Sequence, residues 1–209
     1  MCGIFALFGS QSADISDKRE YLLQLSKKIR HRGPDWNGIY FNPEKKVAIC
    51  HERLSIVGVD NGSQPIIDEE NEIILSVNGE IYNYQQLYET VLHNKYNAST
   101  SSDCEIIIHL YKEFGPEFVK MLDGIFSFVL YDNKSNKVIA ARDPIGITTL
   151  YMGRSKEYGI MFSSEMKSLI HDCQYITHFT PGNYIVLDNK IDDSDNNLTF
   201  INYYTPFCV

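Results

Sequence analysis

Short apolar runs recur along the chain, and turn-forming stretches such as Asn42-Pro43 and Asp60-Asn61-Gly62 separate them. Runs of this length that are rich in β-branched and aromatic residues are typical of strands. We therefore expect strands over residues 3–8, 38–41, 47–54, 73–77, 126–131, 138–142, 150–152, 159–162 and 184–187. The polar residues 133–136 predict a hairpin turn, and the Asp/Asn-rich residues 192–197 predict a loop.

Apolar residues spaced by three, four and seven predict a helix over residues 17–30, with Leu22, Leu25 and Ile29 on one face. The same spacing predicts helices over residues 84–92 and 103–114, and a short helix over 116–122. Strands grouped around a helical block are typical of an α+β fold in which helices cover antiparallel sheets.

Composition narrows the class of protein. With 209 residues, 44% hydrophobic and 22% charged, the chain is long enough for a core that needs neither a disulfide nor a metal. A net charge of −8 argues against nucleic acid as a partner. The apolar runs are too short to span a membrane, and the chain begins without a basic leader, so we expect a cytoplasmic protein.

The five cysteines are scattered and form no Cys-x-x-Cys pair, which favours reduced thiols. Cys50 and His51 could be mistaken for a nucleophile and its base. Adjacent residues of a strand point to opposite faces, so we interpret Cys50 as a core thiol.

Cys2 becomes the first residue if Met1 is removed. Its thiol then shares a residue with an α-amine whose pKa is near 7.7 to 8.0, and such an amine can act as a general base at neutral pH. Gly3 would let a substrate approach closely. Position alone leaves open the alternative that Cys2 is a small buried hydrophobic residue.

Six segments of the sequence favour the interpretation of Cys2 as a nucleophile: MCGIFALFG, RHRGPDWNG, HERLSIVG, VNGEIYNY, SSDCE and ARDPIGITTLY. In this order and approximate spacing they resemble the class II glutamine amidotransferases, and most closely the glutaminase domain of asparagine synthetase. The resemblance implies a four-layer αββα N-terminal-nucleophile hydrolase sandwich with two antiparallel sheets, formed by residues 2–209.

The resemblance also implies roles for individual residues. Cys2 would be the nucleophile, and the Asn78 amide and Gly79 N–H would form the oxyanion hole, whereas Asn-Gly by itself predicts a type I′ turn. Arg53 would clamp the glutamine α-carboxylate, a role suited to its planar fork, although a surface salt bridge is the alternative. The remaining predicted substrate-binding residues are Leu54, Ser55, Ile56, Val57, Glu80 and Asp103.

Glu80 and Asp103 would receive the α-ammonium group. An acidic residue at a helix start is more often a cap, but Ser102 and Glu105 fit a capping box by themselves and leave Asp103 able to face a ligand. The segment RHRGPD is either a helix end with a Gly-Pro turn held by local charge pairs or part of a loop that closes over glutamine. Arg142-Asp143-Pro144 is expected to be structural, and Thr149 stands where the family usually has proline.

In the implied reaction Cys2 attacks the side-chain amide of L-glutamine, and hydrolysis of the thioester yields glutamate and ammonia. Ammonia would pass to a C-terminal asparagine synthetase domain, absent here, which uses ATP and Mg²⁺. No cofactor or metal is expected in the present domain, and a homodimer of the full-length enzyme is left open.

Several alternatives also stay open at this point. The chain could be a stand-alone glutaminase subunit or could feed a different acceptor. It could also be a non-catalytic glutamine-sensing module, or an amidase that acts on larger acyl amides.

Overall fold

A computed structural model describes residues 1–10, 12–54, 63–188 and 198–205. Its strands, in chain order, are β1 (Gly3–Phe8), β2 (Trp36–Asn42), β3 (Val47–Arg53), β4 (Ile66–Asp68), β5 (Ile73–Ile81), β6 (Gly124–Asp132), β7 (Lys137–Arg142), β8 (Tyr151–Ser155), β9 (Gly159–Ser163), β10 (Tyr175–His178), β11 (Asn183–Asp188) and β12 (Ile201–Asn202). They form two antiparallel sheets, with strand orders β10-β8-β9-β1-β3-β2 and β12-β11-β7-β6-β5-β4.

The α-helices are α1 (Arg19–Lys27), α2 (Tyr84–Gln86) and α3 (Ile106–Phe114). A π-helix, Leu87–Val91, continues α2. Short 3₁₀ turns lie at Arg30–Arg32, Asp103–Glu105, Gly115–Met121 and Met166–Ser168.

The two sheets pack face to face. Ile4, Ala6 and Phe8 of β1 meet Ile74 of β5 and Val129 of β6 in a core between the sheets. Because side chains alternate along a strand, Phe5 and Leu7 point to the opposite face of β1.

Helices cover both outer faces. Leu22 and Leu25 of α1 pack on Phe5 and Leu7 of the first sheet. Ile107 and Leu110 of α3 lie in a third buried cluster with residues of β5, β6 and β7. The order of layers is therefore helix, sheet, sheet, helix, and the predicted αββα sandwich is confirmed.

Each predicted strand and helix has a counterpart, with shifted ends. The predicted helix over 84–92 is present as a short α-helix, Tyr84–Gln86, followed by a π-helix, Leu87–Val91. The helix over 116–122 is a 3₁₀ turn. Residues 133–136 join β6 to β7 as predicted, since Asp132 pairs with Lys137. The predicted loop over 192–197 lies outside the described residues.

Candidate active site

The first residues of β1 meet the last residues of β3 at one end of the first sheet. Gly3 pairs with Glu52, so Cys2 lies beside Arg53 and Leu54. The strands β1 and β3 both contact β5 of the second sheet. This packing brings Cys2 to Asn78, although the two residues are 76 positions apart in sequence.

Several hydrogen bonds hold the Cys2 residue. Its backbone nitrogen donates to Oδ1 of Asn78 at 2.8 Å, and Nε of Arg32 donates to its carbonyl oxygen at 2.9 Å. The N–H of Leu54 points at Sγ, with 3.4 Å between nitrogen and sulfur. Sγ also lies 3.8 Å from the Leu54 carbonyl oxygen, to which a thiol can donate, whereas the N–H of Leu54 suits a thiolate acceptor. With Met1 present the Cys2 nitrogen is a peptide N–H, and removal of Met1 would place a free amine at the same position.

Asn78 and Gly79 are interior residues of β5, so the alternative reading as a two-residue turn is wrong. Nδ2 of Asn78 is buried and has no hydrogen-bond partner among the described residues. A buried donor of this kind is costly unless a ligand uses it.

Gly79 has a φ of +151°, and a Cβ at this position would lie 2.0 Å from the Ile125 carbonyl oxygen. A residue with a side chain therefore does not fit here without a shift of β6.

A cavity of about 160 Å³ opens beside Cys2. Its lining includes every predicted site residue in the described ranges, namely Cys2, Arg53, Leu54, Asn78, Gly79, Glu80 and Asp103. The predicted residues Ser55, Ile56 and Val57 lie outside the described residues. The rest of the lining is Met1, Gln64, Val77, Ser102, Cys104, Ile125 and Thr148.

The cavity presents charges of both signs. Arg53 is buried at the end of β3, whereas Glu80 is exposed near the end of β5. Oδ2 of Asp103 accepts a 2.6 Å hydrogen bond from the N–H of Ile81, which ties this carboxylate to the end of β5. A cation and two carboxylates in one small cavity match the two charged groups of a free amino acid.

The capping box expected at the start of the third helix is only half present. Oγ of Ser102 accepts from the N–H of Cys104 at 3.3 Å, as a cap should. The side chain of Glu105 does not reach back to the Ser102 N–H. It accepts instead from Ser99 and Thr100. Asp103 is free of the capping role, as expected.

The first three residues of the RHRGPD segment, Arg30–Arg32, form a 3₁₀ turn that is held by charge pairs. Arg30 pairs with the buried Glu52 at 3.3 Å, and Arg32 pairs with Glu165 at 3.2 Å. These contacts agree with the structural interpretation, but the partners are distant in sequence. Because Arg32 also donates to the carbonyl of Cys2, the turn helps to fix the position of the candidate nucleophile.

Gly3 is not among the residues that line the cavity, and close approach of a substrate to it stays a prediction. A Cβ there would meet the side chain of Ile29 at 3.0 Å, so the glycine permits packing between β1 and the end of the first helical segment.

Cys50 and His51 do not form a catalytic pair. Cys50 packs in the cluster beneath α1, and burial raises the pKa of its thiol to about 12. His51 shares a 2.9 Å hydrogen bond with Ser76 of the other sheet, and burial together with the Arg53 charge lowers its pKa to about 3. The interpretation of Cys50 as a core thiol is confirmed.

Arg142 and Asp143 hold the loop that follows β7, as the structural interpretation predicts. The Asp143 carboxylate accepts from the N–H groups of Ile145, Ile147 and Thr148 and from the Thr148 hydroxyl. Arg142 donates to the carbonyls of Gly146 and Thr148. The loop thereby places Thr148 in the cavity lining.

Three features of the cavity and its surroundings were not predicted from the sequence. These are the contact of Arg32 with Cys2, the contact of Gln64 with the N–H of Val77, and the place of Thr148 in the cavity lining. The signal for Arg32 was present in RHRGPD, but no spacing rule links that segment to Cys2.

Among the described residues no cluster of three or more His, Cys, Asp or Glu is arranged to hold a metal ion. In the same part of the chain no helix is long and apolar enough to cross a bilayer.

The family model described as a glutamine amidotransferase domain matches residues 1–191 of this chain. The chain belongs to the glutamine amidotransferase domain family. The match includes Cys2, Arg53, Asn78 and Asp103, so this amidotransferase domain contains the whole described cavity.

Curated relatives of the amidotransferase domain are similar over most of its length. It is 47% identical over 207 residues to a probable glutamine-hydrolysing asparagine synthetase of Dictyostelium discoideum, covering 99% of this chain and 35% of that protein. It is 49% identical over 209 residues to glutamine-hydrolysing asparagine synthetase 1 of Saccharomyces cerevisiae, covering 99% of this chain and 34% of the relative. The Arabidopsis thaliana enzyme is 47% identical over 184 residues, which cover 88% of this chain and 31% of that protein. The chain thus spans about a third of the length of these relatives.

Solved structures show the same fold. Glutamine phosphoribosylpyrophosphate amidotransferase from B. subtilis superposes with a TM-score of 0.72 at 19% identity, covering 97% of this chain and 49% of that one. The allosteric regulatory enzyme of purine biosynthesis superposes with a TM-score of 0.73 at 21% identity, with the same coverage of 97% and 49%. The sandwich of the amidotransferase domain is therefore the one that these enzymes share.

Proposed function

We propose that this domain hydrolyses L-glutamine to glutamate and ammonia, with Cys2 as nucleophile. The observation that carries the proposal is the pairing of Cys2 with Asn78. The Oδ1 of Asn78 holds the Cys2 nitrogen at 2.8 Å, while its buried Nδ2 has no partner among the described residues. One amide thus orients the residue that attacks and offers a donor for the oxygen that becomes negative.

The reaction begins when the Cys2 α-amine, free after loss of Met1, takes the thiol proton and Sγ bonds to the glutamine amide carbon. Asn78 Nδ2 and the Gly79 N–H stabilise the resulting oxyanion. The C–N bond then breaks, and the leaving nitrogen departs as ammonia with the proton relayed by the α-amine. Water hydrolyses the γ-glutamyl thioester and restores the thiol.

Substrate recognition follows from the charges around the cavity. Arg53 would hold the α-carboxylate through a two-pronged hydrogen bond, and Glu80 and Asp103 would hold the α-ammonium. Leu54, with Ser55, Ile56 and Val57, would line the same pocket. A free amino acid supplies both charged groups, whereas an acyl amide of a larger molecule does not.

The relatives named above are asparagine synthetases, and on that basis we propose aspartate activation in a further C-terminal domain as the use of the ammonia. ATP and Mg²⁺ would belong to that domain. We also propose the cytoplasm as the compartment. The homodimer of the full-length enzyme stays a prediction.

The test is glutamate release from L-glutamine by the purified chain, after intact mass has established that Met1 is absent. We expect release by the unaltered chain and none by Cys2→Ala. Protection of Cys2 from alkylation by L-glutamine without any glutamate release would favour the glutamine-sensing module instead. Turnover of amides without an α-carboxylate at the same rate as glutamine would favour the acyl amidase.

A further inference from the structure

Glu105 lies under the segment that delivers Asp103 to the cavity. Only 3% of its surface is exposed, and its carboxylate accepts hydrogen bonds from Ser99 and Thr100 in the loop that precedes the helix. A buried carboxylate is costly unless its oxygens receive hydrogen bonds. The hydrogen bonds that Glu105 accepts therefore indicate its role in the structure.

Two consecutive residues donate to this carboxylate with both their backbone and their side chains. The N–H and Oγ of Ser99 donate to Oε1, each at 2.7 Å. The N–H and Oγ1 of Thr100 donate to Oε2, at 2.7 and 2.6 Å. Hydrogen bonds to a charged group are among the stronger ones in proteins, and here they fix the path of the chain around one side chain.

The hydrogen-bond network around Glu105 continues along the chain to Asp103. Oγ1 of Thr100 accepts from the N–H of Ser102 at 3.2 Å, and Oγ of Ser102 accepts from the N–H of Cys104 at 3.3 Å. Asp103 lies between Ser102 and Cys104 in the sequence. Its Oδ2 accepts from the N–H of Ile81 and from the Cys104 thiol. The position of the Asp103 carboxylate is thus set from β5 on one side and from the Glu105 loop on the other.

The helix α3, which follows Glu105, places His109 beside its carboxylate. Nε2 of His109 lies 3.5 Å from Oε1, and the His109 ring stacks on Tyr96 with 4.8 Å between ring centroids. Burial tends to raise the pKa of Glu105, but the nearby His109 and the hydrogen bonds from Thr100 and Ser99 outweigh it and lower the pKa to about 2. The carboxylate is therefore ionised throughout the neutral range.

We infer that Glu105 is a positioning residue for recognition of the substrate α-ammonium, acting through residues 99–102 on Asp103. The inference rests on the proposed function, because it assumes that Asp103 receives that ammonium group. Glu105 does not line the cavity, so its effect should fall on substrate selection and not on the chemistry at Cys2.

The experiment compares two substrates that differ only in the α-amine, L-glutamine and glutaramate, with unaltered chain and Glu105→Gln. We expect the preference for glutamine to fall by at least about 10-fold, through a higher KM, because a charge-assisted network is lost. The kcat/KM for glutaramate should stay the same. Glu117→Gln is the control, since it makes the same change at an exposed carboxylate that pairs with Lys120, accepts from the Tyr184 hydroxyl and does not line the cavity.

An equal loss on both substrates would mean that Glu105 only supports the fold, and no loss on either would also overturn the inference. If Glu105→Gln does not fold, Thr100→Val removes one donor and one link of the same network and should give a smaller selective loss. Protection of Cys2 from iodoacetamide by glutamine measures binding without turnover. Protection that Glu105→Gln weakens would therefore support the inference even if the chain released no glutamate and the proposed function failed.

Discussion

The Cys2 backbone nitrogen and the Asn78 side chain are joined by a 2.8 Å hydrogen bond across the two sheets. This contact ties the residue that precedes β1 to the interior of β5, and it occupies only the oxygen of the Asn78 amide. The amide nitrogen is left buried and without a partner among the described residues. Asn78 is therefore the residue at which orientation of the nucleophile and stabilisation of charge can be separated by mutation.

Asn78→Asp separates the two roles. The variant keeps an oxygen to accept from the Cys2 nitrogen and loses the Nδ2 donor. We expect kcat for glutamine hydrolysis to fall by about 100- to 1,000-fold, the usual cost of removing an oxyanion-hole donor. Steady-state kinetics measures the loss, and near-normal kcat would show that Asn78 only holds the N-terminus.

Arg53→Lys tests the carboxylate clamp. Lysine keeps the positive charge and loses the planar fork, so the KM for L-glutamine should rise by about 10- to 100-fold. The weak turnover of γ-aminobutyramide, which lacks the α-carboxylate, should not change. If both substrates lose activity equally, Arg53 acts on the structure of the site and does not bind the carboxylate.

Thr149→Val is expected to stabilise the domain. Oγ1 of Thr149 is buried without a hydrogen-bond partner among the described residues, so its removal relieves a desolvation cost of about 1 kcal/mol. The adjacent Thr148→Val is the matched control and should destabilise, because the Thr148 hydroxyl donates to Asp143 at 3.0 Å. Urea denaturation measures both changes, and a loss of stability in Thr149→Val would contradict the interpretation.

Acid sensitivity should depend on Glu105. Its pKa is lowered from 4.5 to about 2 in the folded chain, so the unfolded state binds more protons between these values. The stabilisation of the fold by the ionised Glu105 carboxylate is complete above the pKa that this group has in the unfolded chain. It is lost as the pH falls from about 4.5 towards 2. We expect the unfolding free energy of Glu105→Gln to change less over this pH range than that of Glu117→Gln. Equal dependence of the two unfolding free energies on pH would contradict this role of Glu105.

Most of the sandwich could be predicted because its central strands are apolar runs buried on both faces, as in β1 and β3. The strands β4, β10 and β12 were missed because they are short, and β10 and β12 are largely exposed, so no apolar pattern marks them. The π-helix Leu87–Val91 carries the same apolar spacing as an α-helix, and only tertiary packing distinguishes them.

The site depends on contacts that no local pattern encodes. Asn-Gly at Asn78 is a turn signal, and only the family resemblance placed it at a nucleophile. Glu105 looked like half of a capping box, yet the loop before the helix had donors closer to its carboxylate. Arg32 reaches Cys2 only because β1 and the 3₁₀ turn lie at the same end of the first sheet.

The most direct test of the central claim is peptide mass spectrometry of the chain after rapid acid quenching of its reaction with L-glutamine. We expect a γ-glutamyl group on the N-terminal cysteine, with Met1 absent, and no such group in Cys2→Ala. An active chain that keeps Met1, or that carries the acyl group on another residue, would contradict the assignment of Cys2 as the nucleophile.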